Sequence, residues 1–78
     1  MPTIGRIGPY RFFFYSNEGL EPPHVHVQRD EATAKFWLDP VLLCSADGMS
    51  RRDLRRLHAI VTEKRDDWRS AWDEFFRA

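Results

Sequence analysis

The apolar residues change period near residue 50, and that change decides what the chain can fold into. Before it they alternate, and after it they recur every third or fourth position. Alternation is the mark of strands, whose side chains point to opposite faces in turn. In Tyr10–Tyr15 it puts Phe12 and Phe14 on one face, and Phe13 and Tyr15 on the other. In His24–Gln28 it puts Val25 and Val27 on one face, and His24, His26 and Gln28 on the other. In Ala32–Leu38, Ala34, Phe36 and Leu38 oppose Lys35 and Trp37. A segment around Thr3–Ile7 pairs with Tyr10–Tyr15 across Gly8-Pro9, and Val41–Cys44 makes a last short strand after Asp39-Pro40. Ser16-Asn17-Glu18-Gly19 signals a turn, Glu21-Pro22-Pro23 lengthens it, and Ala46-Asp47-Gly48 turns the chain again.

Beyond Gly48, Ser50 with Asp53 three residues later is a capping-box variant. Leu54, Leu57, Ile60, Val61, Trp68, Ala71, Trp72, Phe75 and Phe76 then mark one face of an amphipathic helix. Unbroken from Arg51 to Arg77, such a helix is about 40 Å long. A domain of this size has a radius of gyration near 11–12 Å and a diameter of about 30 Å. That mismatch predicts a break or bend near Glu63–Asp67. Short polar connections favour antiparallel pairing. The expected fold is α+β, a single domain over 1–78, with strands within 3–45 and a helical segment over 50–77. A three- or four-stranded, mainly antiparallel sheet is packed on one face by the C-terminal helical segment. Val25, Val27, Phe36, Leu38, Leu54, Leu57, Ile60 and Val61 are its natural core.

Composition narrows the class. With 78 residues, eleven aromatics and one cysteine, Cys44, the chain is a small domain with no internal disulfide to staple it. Small extracellular domains usually depend on such bonds. The expectation is a soluble protein of a reducing compartment, without a secretory signal or a membrane span. The net charge of zero argues against general coating of nucleic acid. The charge is unevenly placed, however. Residues 1–48 carry four basic and six acidic side chains, residues 49–78 eight basic and six acidic, with Arg51, Arg52, Arg55 and Arg56 together.

On this parity His24, His26, Gln28, Lys35 and Trp37 lie on the open face of the sheet. His26, with His24, is the candidate for acid–base chemistry, because an imidazole titrates near neutrality. Lys35, Trp37, Arg51, Arg52, Arg55 and Arg56 are the candidates for holding phosphate or an acidic partner. The arginines oppose the helix macrodipole, and such a violation of a local rule points to function. The residues name no reaction, and no cofactor is expected. No metal is favoured. Were one bound, His24 and His26 would be its ligands, with Cys44 as an added donor. Gly19, His24, His26 and Glu31 resemble the first metal motif of cupins, with the glycine spacing one short and no second motif. Gln28 stands where a histidine-triad hydrolase has its third histidine, so that reading is set aside. Trp68, Trp72, Phe75 and Phe76 either pack on the sheet or form a homodimer seam.

Pro2-Thr3-Ile4, Phe14-Tyr15-Ser16-Asn17-Glu18, Glu21-Pro22-Pro23-His24-Val25-His26-Val27, Ala34-Lys35-Phe36-Trp37-Leu38 and Pro40-Val41 together resemble domain-of-unknown-function family 4160. The resemblance spans nearly the whole chain and is most specific in the Pro-Pro-His-Val-His block. It brings no established activity and identifies no catalytic residue. It implies one half of a two-gene module, with a neighbour from domain-of-unknown-function family 2442. Such modules are suspected toxin–antitoxin pairs, so a bacterial or phage cytoplasm and a partner protein follow from it; the open sheet face and the helix-start arginines are surfaces for that partner or for RNA. In a toxin, His26 and His24 would move protons while Lys35 and the arginines held the scissile phosphate. The competing class is a non-catalytic antitoxin or adaptor, and a small metal-binding protein is third.

Overall fold

A computed structural model describes residues 3–77; Pro2 of the family pattern lies outside them. The element order is β1 (Thr3–Ile7), β2 (Tyr10–Phe13), β3 (His24–Arg29), β4 (Ala32–Leu38), β5 (Val41–Asp47) and α1 (Arg51–Arg77). The strands form one antiparallel meander in the order β1-β2-β3-β4-β5. The sheet therefore has five strands, not three or four. Both edge strands are weak in sequence: β1 holds a glycine and an arginine, and β5 is exposed along nearly its whole length.

Three of the four connections are two residues long. Gly8 at φ 56° and Asp30 at φ 54° supply the left-handed conformation that tight turns between twisted strands require. Asp39-Pro40 makes the third turn. The fourth connection, residues 14–23, is long and carries the site described below.

Paired residues share a face. Val25 pairs with Phe36, and Val27 with both Phe12 and Ala34. These side chains, with Leu38, meet Leu57 and Val61 of α1 to form the core. Leu54 and Ile60 pack against its margin. Ser50 Oγ accepts from the Asp53 amide at 3.0 Å, so the helix starts where its capping pair predicts.

The expected break near Glu63–Asp67 does not occur: α1 is one 27-residue helix. Its length of about 40 Å exceeds the longest molecular extent of 35 Å, so it runs obliquely to the long axis. The polar stretch docks rather than breaks. Arg65 donates through Nε to the Leu38 carbonyl at 2.9 Å, and Arg65 and Arg69 each reach Asp39 at 2.7 Å. Beyond it, the helix stays on the sheet through large rings. Trp68 packs on Phe12 at 4.6 Å between ring centroids, and Trp72 on Phe14 at 5.3 Å. Gly5 gives Trp68 room, and at Gly19 a Cβ would stand 2.6 Å from the Phe76 ring. Trp68 and Trp72 thus lie in the chain's own core and Phe76 is partly buried, leaving Phe75 the exposed member of the aromatic stripe. No helix among the described residues is long and apolar enough to cross a membrane.

A proline placed at Asp66 tests the continuity of α1. It should cost at least about 3 kcal/mol in chemical denaturation, the penalty of a helix interior. A bend at that position would accept it with little loss.

Candidate functional site

The sheet narrows at one end, and the site lies there. The last pair between β2 and β3 is Phe13 with His26. His24 lies beyond it, so one side of this residue has no neighbouring strand. The long β2–β3 connection folds over the gap, held by the bond from the Glu21 amide to the Glu18 carbonyl at 3.1 Å. Trp72 reaches the same gap from α1 and packs 4.7 Å from the His24 ring. Trp37, the β4 partner of His24, meets it edge-on at 5.5 Å.

His24 is consequently enclosed, with 0% exposure. The expectation that both imidazoles project into solvent from an open face is corrected here. Alternation does set the direction of the rings, and His26 keeps part of its surface. It does not set exposure at the end of a strand, where a loop and a tryptophan cover the first residue.

Glu18 holds the two rings together. Its Oε1 lies 2.9 Å from His24 Nε2 and 2.7 Å from His26 Nε2. The other nitrogen of His24, Nδ1, donates to the Pro22 carbonyl at 2.9 Å. Among the described residues, Glu18, His24 and His26 form the one group of three such side chains whose ligand atoms lie within 4.8 Å of one another. They are the residues able to hold a metal. Cys44 is exposed on β5 and outside the cluster. The carboxylate of the cluster is Glu18, not the cupin-like Glu31, which sits in the β3–β4 turn.

Apolar rings wall the cluster. His26 stacks on Phe13 at 5.6 Å and meets Tyr15 edge-on at 4.6 Å. Burial lowers the His26 pKa more than the Glu18 bond and charge raise it, so it lies below the ordinary histidine value. Burial raises the Glu18 carboxyl, but the bonds from His24 and His26 outweigh it and leave the pKa below the usual glutamate value. Beside His26, a depression of about 330 Å³ is lined by Phe13, Tyr15, Lys35, Ser45 and Asp47.

Lys35, the cross-strand partner of His26, donates to Glu21 Oε1 at 2.6 Å and lies 4.6 Å from the Trp37 ring centre. Desolvation lowers its pKa, but the Glu21 bond and charge outweigh that and raise it. Gln28 accepts from Arg11 at 2.9 Å and plays no part in the cluster. Arg51, Arg52, Arg55 and Arg56 are exposed at the other end of α1. Arg56 precedes Trp72 by sixteen residues, about 24 Å along the axis. The structure brings His24, His26, Lys35 and Trp37 together and leaves the arginines apart. Glu18, read from sequence as part of a turn and of the family pattern, was given no site role. Its physical signal was a carboxylate in a loop obliged to return to the start of the histidine strand.

The fold and cluster define a small α+β domain with a carboxylate–imidazole site at the narrowed end of its sheet. The chain belongs to the family described as Domain of unknown function (DUF4160), whose model matches residues 10–73. No curated protein and no solved structure matches it.

Both pKa shifts give stability the same pH dependence. The unfolded chain binds a proton at His26 more readily, so stability falls as pH drops through about 6.5, the ordinary histidine value. Loss of the Glu18 contribution follows as pH drops below 4.5 toward the lowered value. The thermal midpoint should therefore fall between pH 8 and pH 4, in the range about 7 to 4 that these two groups span. His26→Ala should flatten the upper part of that curve, and an unchanged curve in this variant would refute the assignment.

Proposed function

We propose that this protein is the partner-binding component of a two-protein, toxin–antitoxin-like module of the cytoplasm, and that the start of α1 engages an acidic surface of its partner. The observation that supports this is the state of four arginines. Arg65 and Arg69, on the same helix, both reach Asp39. Arg51, Arg52, Arg55 and Arg56 form no ion pair among the described residues.

Asp53, the acid best placed to neutralise them, is otherwise engaged. Its Oδ1 accepts from Tyr10 at 2.7 Å and from Arg29 at 2.8 Å, and Oδ2 takes the Ser50 amide at 3.4 Å. The Tyr10 bond comes first among the causes that hold its pKa below the ordinary aspartate value. Beside it lies a hollow of about 430 Å³ lined by Arg29, Ser50, Arg52, Asp53 and Arg56. Exposed guanidinium forks around a hollow suit carboxylates, and they suit phosphates equally well.

The RNA-cleaving version is less well supported. It needs phosphate held where His26 exchanges protons, and the arginines stand about two dozen ångströms along the helix from there. Lys35 is nearby, but Glu21 already engages it. A binding module needs no such convergence.

Arg52→Glu with Arg56→Glu should abolish co-purification with the product of the neighbouring gene and leave the melting temperature within a few degrees of the parent. Retention of the complex would overturn the reading. Binding to RNA in place of protein, lost in the same variant and steeply salt-dependent, would transfer the surface to a different ligand.

A further inference from the structure

We propose that Glu18, His24 and His26 form a binding site for one divalent first-row transition-metal ion, of which Zn²⁺ is the reference case. The argument rests on the hydrogens of His24. Its Nδ1 lies 2.9 Å from the Pro22 carbonyl, which can only accept. Nδ1 therefore carries a hydrogen. In a neutral ring the lone pair is then on Nε2, and Nε2 faces Glu18 Oε1 at 2.9 Å. A carboxylate oxygen is also an acceptor. Two acceptors cannot share that line, so a proton or a metal cation lies between them.

The surroundings are those of a ligand set. An imidazole whose far N–H is fixed by a backbone carbonyl is the usual outer support of a metal-binding histidine, because it presents the other nitrogen as the donor. His26 brings a second Nε2 to the same carboxylate oxygen at 2.7 Å. Around a tetrahedral ion with bonds of about 2.0–2.2 Å, neighbouring donors stand about 3.3–3.6 Å apart. The two Glu18 contacts, at 2.9 and 2.7 Å, have to open by about 0.4–0.9 Å, and Glu18 can move, being carried on a loop. His24 is fixed between Trp37 and Trp72 and supplies the rigid side. Two imidazoles and one carboxylate select a transition ion over Mg²⁺ or Ca²⁺, which prefer oxygen donors alone. Three protein ligands leave at least one coordination position for water or another donor. That position lies on the side where Glu18 and His26, at 19% and 16% side-chain exposure, reach solvent.

The test uses the untagged chain, stripped with a chelator and titrated with Zn²⁺ or Co²⁺ at pH 7. The expected result is one equivalent bound, a raised melting temperature, and visible Co²⁺ bands. His26→Ala and Glu18→Gln should each weaken binding at least tenfold. His58→Ala and Cys44→Ser should not, which excludes the remaining histidine and the thiol as the ligands. No uptake, or either site variant binding within tenfold of the parent, would overturn the site.

Discussion

Five strands at about 4.8 Å spacing make a sheet some 19 Å wide, and a helix with its side chains is only about 10–12 Å across. One helix must nevertheless cover it, and much of the architecture follows from that shortfall. The oblique course of α1 spreads its apolar face over more of the sheet than an aligned helix would reach. The first half of α1 needs only Leu57 and Val61 in the core, and the helix runs closest to β4 and β5. Toward β1 and β2 the residues become Trp68, Trp72 and Phe76, whose rings span a wider gap. The tryptophans at the end of the helix are thus first a means of covering the sheet.

The same geometry builds the site. Because β2 ends opposite His26, the position beside His24 is filled by a loop and a ring from the helix, not by a strand. Each contributes something a strand could not. The loop brings a carboxylate and a free carbonyl to the two nitrogens of one imidazole, and Trp72 excludes water from it. A polar cluster with almost no exposed surface at its centre results, and every buried side-chain nitrogen and oxygen among the described residues has a partner. Such a cluster is sensitive to its charge state, because removing one member leaves the others desolvated.

Much of this was legible in the residues, for reasons that can be stated individually. Alternation in Val25–Val27 and Ala34–Leu38 marks buried strands because both segments pair on two sides under the helix. Ser50 and Asp53 mark the helix start because the capping pair is local. What resisted reading was non-local. The β5 strand was legible at Val41–Cys44, but its extension to Asp47 runs through an exposed segment read as the start of a turn. The polar stretch of α1 is docked by Arg65 and Arg69 reaching Asp39, a contact between distant positions. The enclosure of His24 depends on where β2 stops, which no periodicity within β3 reports. Glu18 joins the histidines across six and eight positions of irregular loop, a separation that no helical or strand repeat predicts.

The outer border of β5 has one further implication. Leu43 pairs with Phe36 and Ser45 with Lys35, so Cys44 is an extra residue that puts the ladder out of step. Any extended peptide laid along that border would meet two runs of three residues, Val41–Leu43 and Ser45–Asp47, offset by the thiol-bearing kink. A border rich in leucine is in this way made a poor template for indefinite stacking.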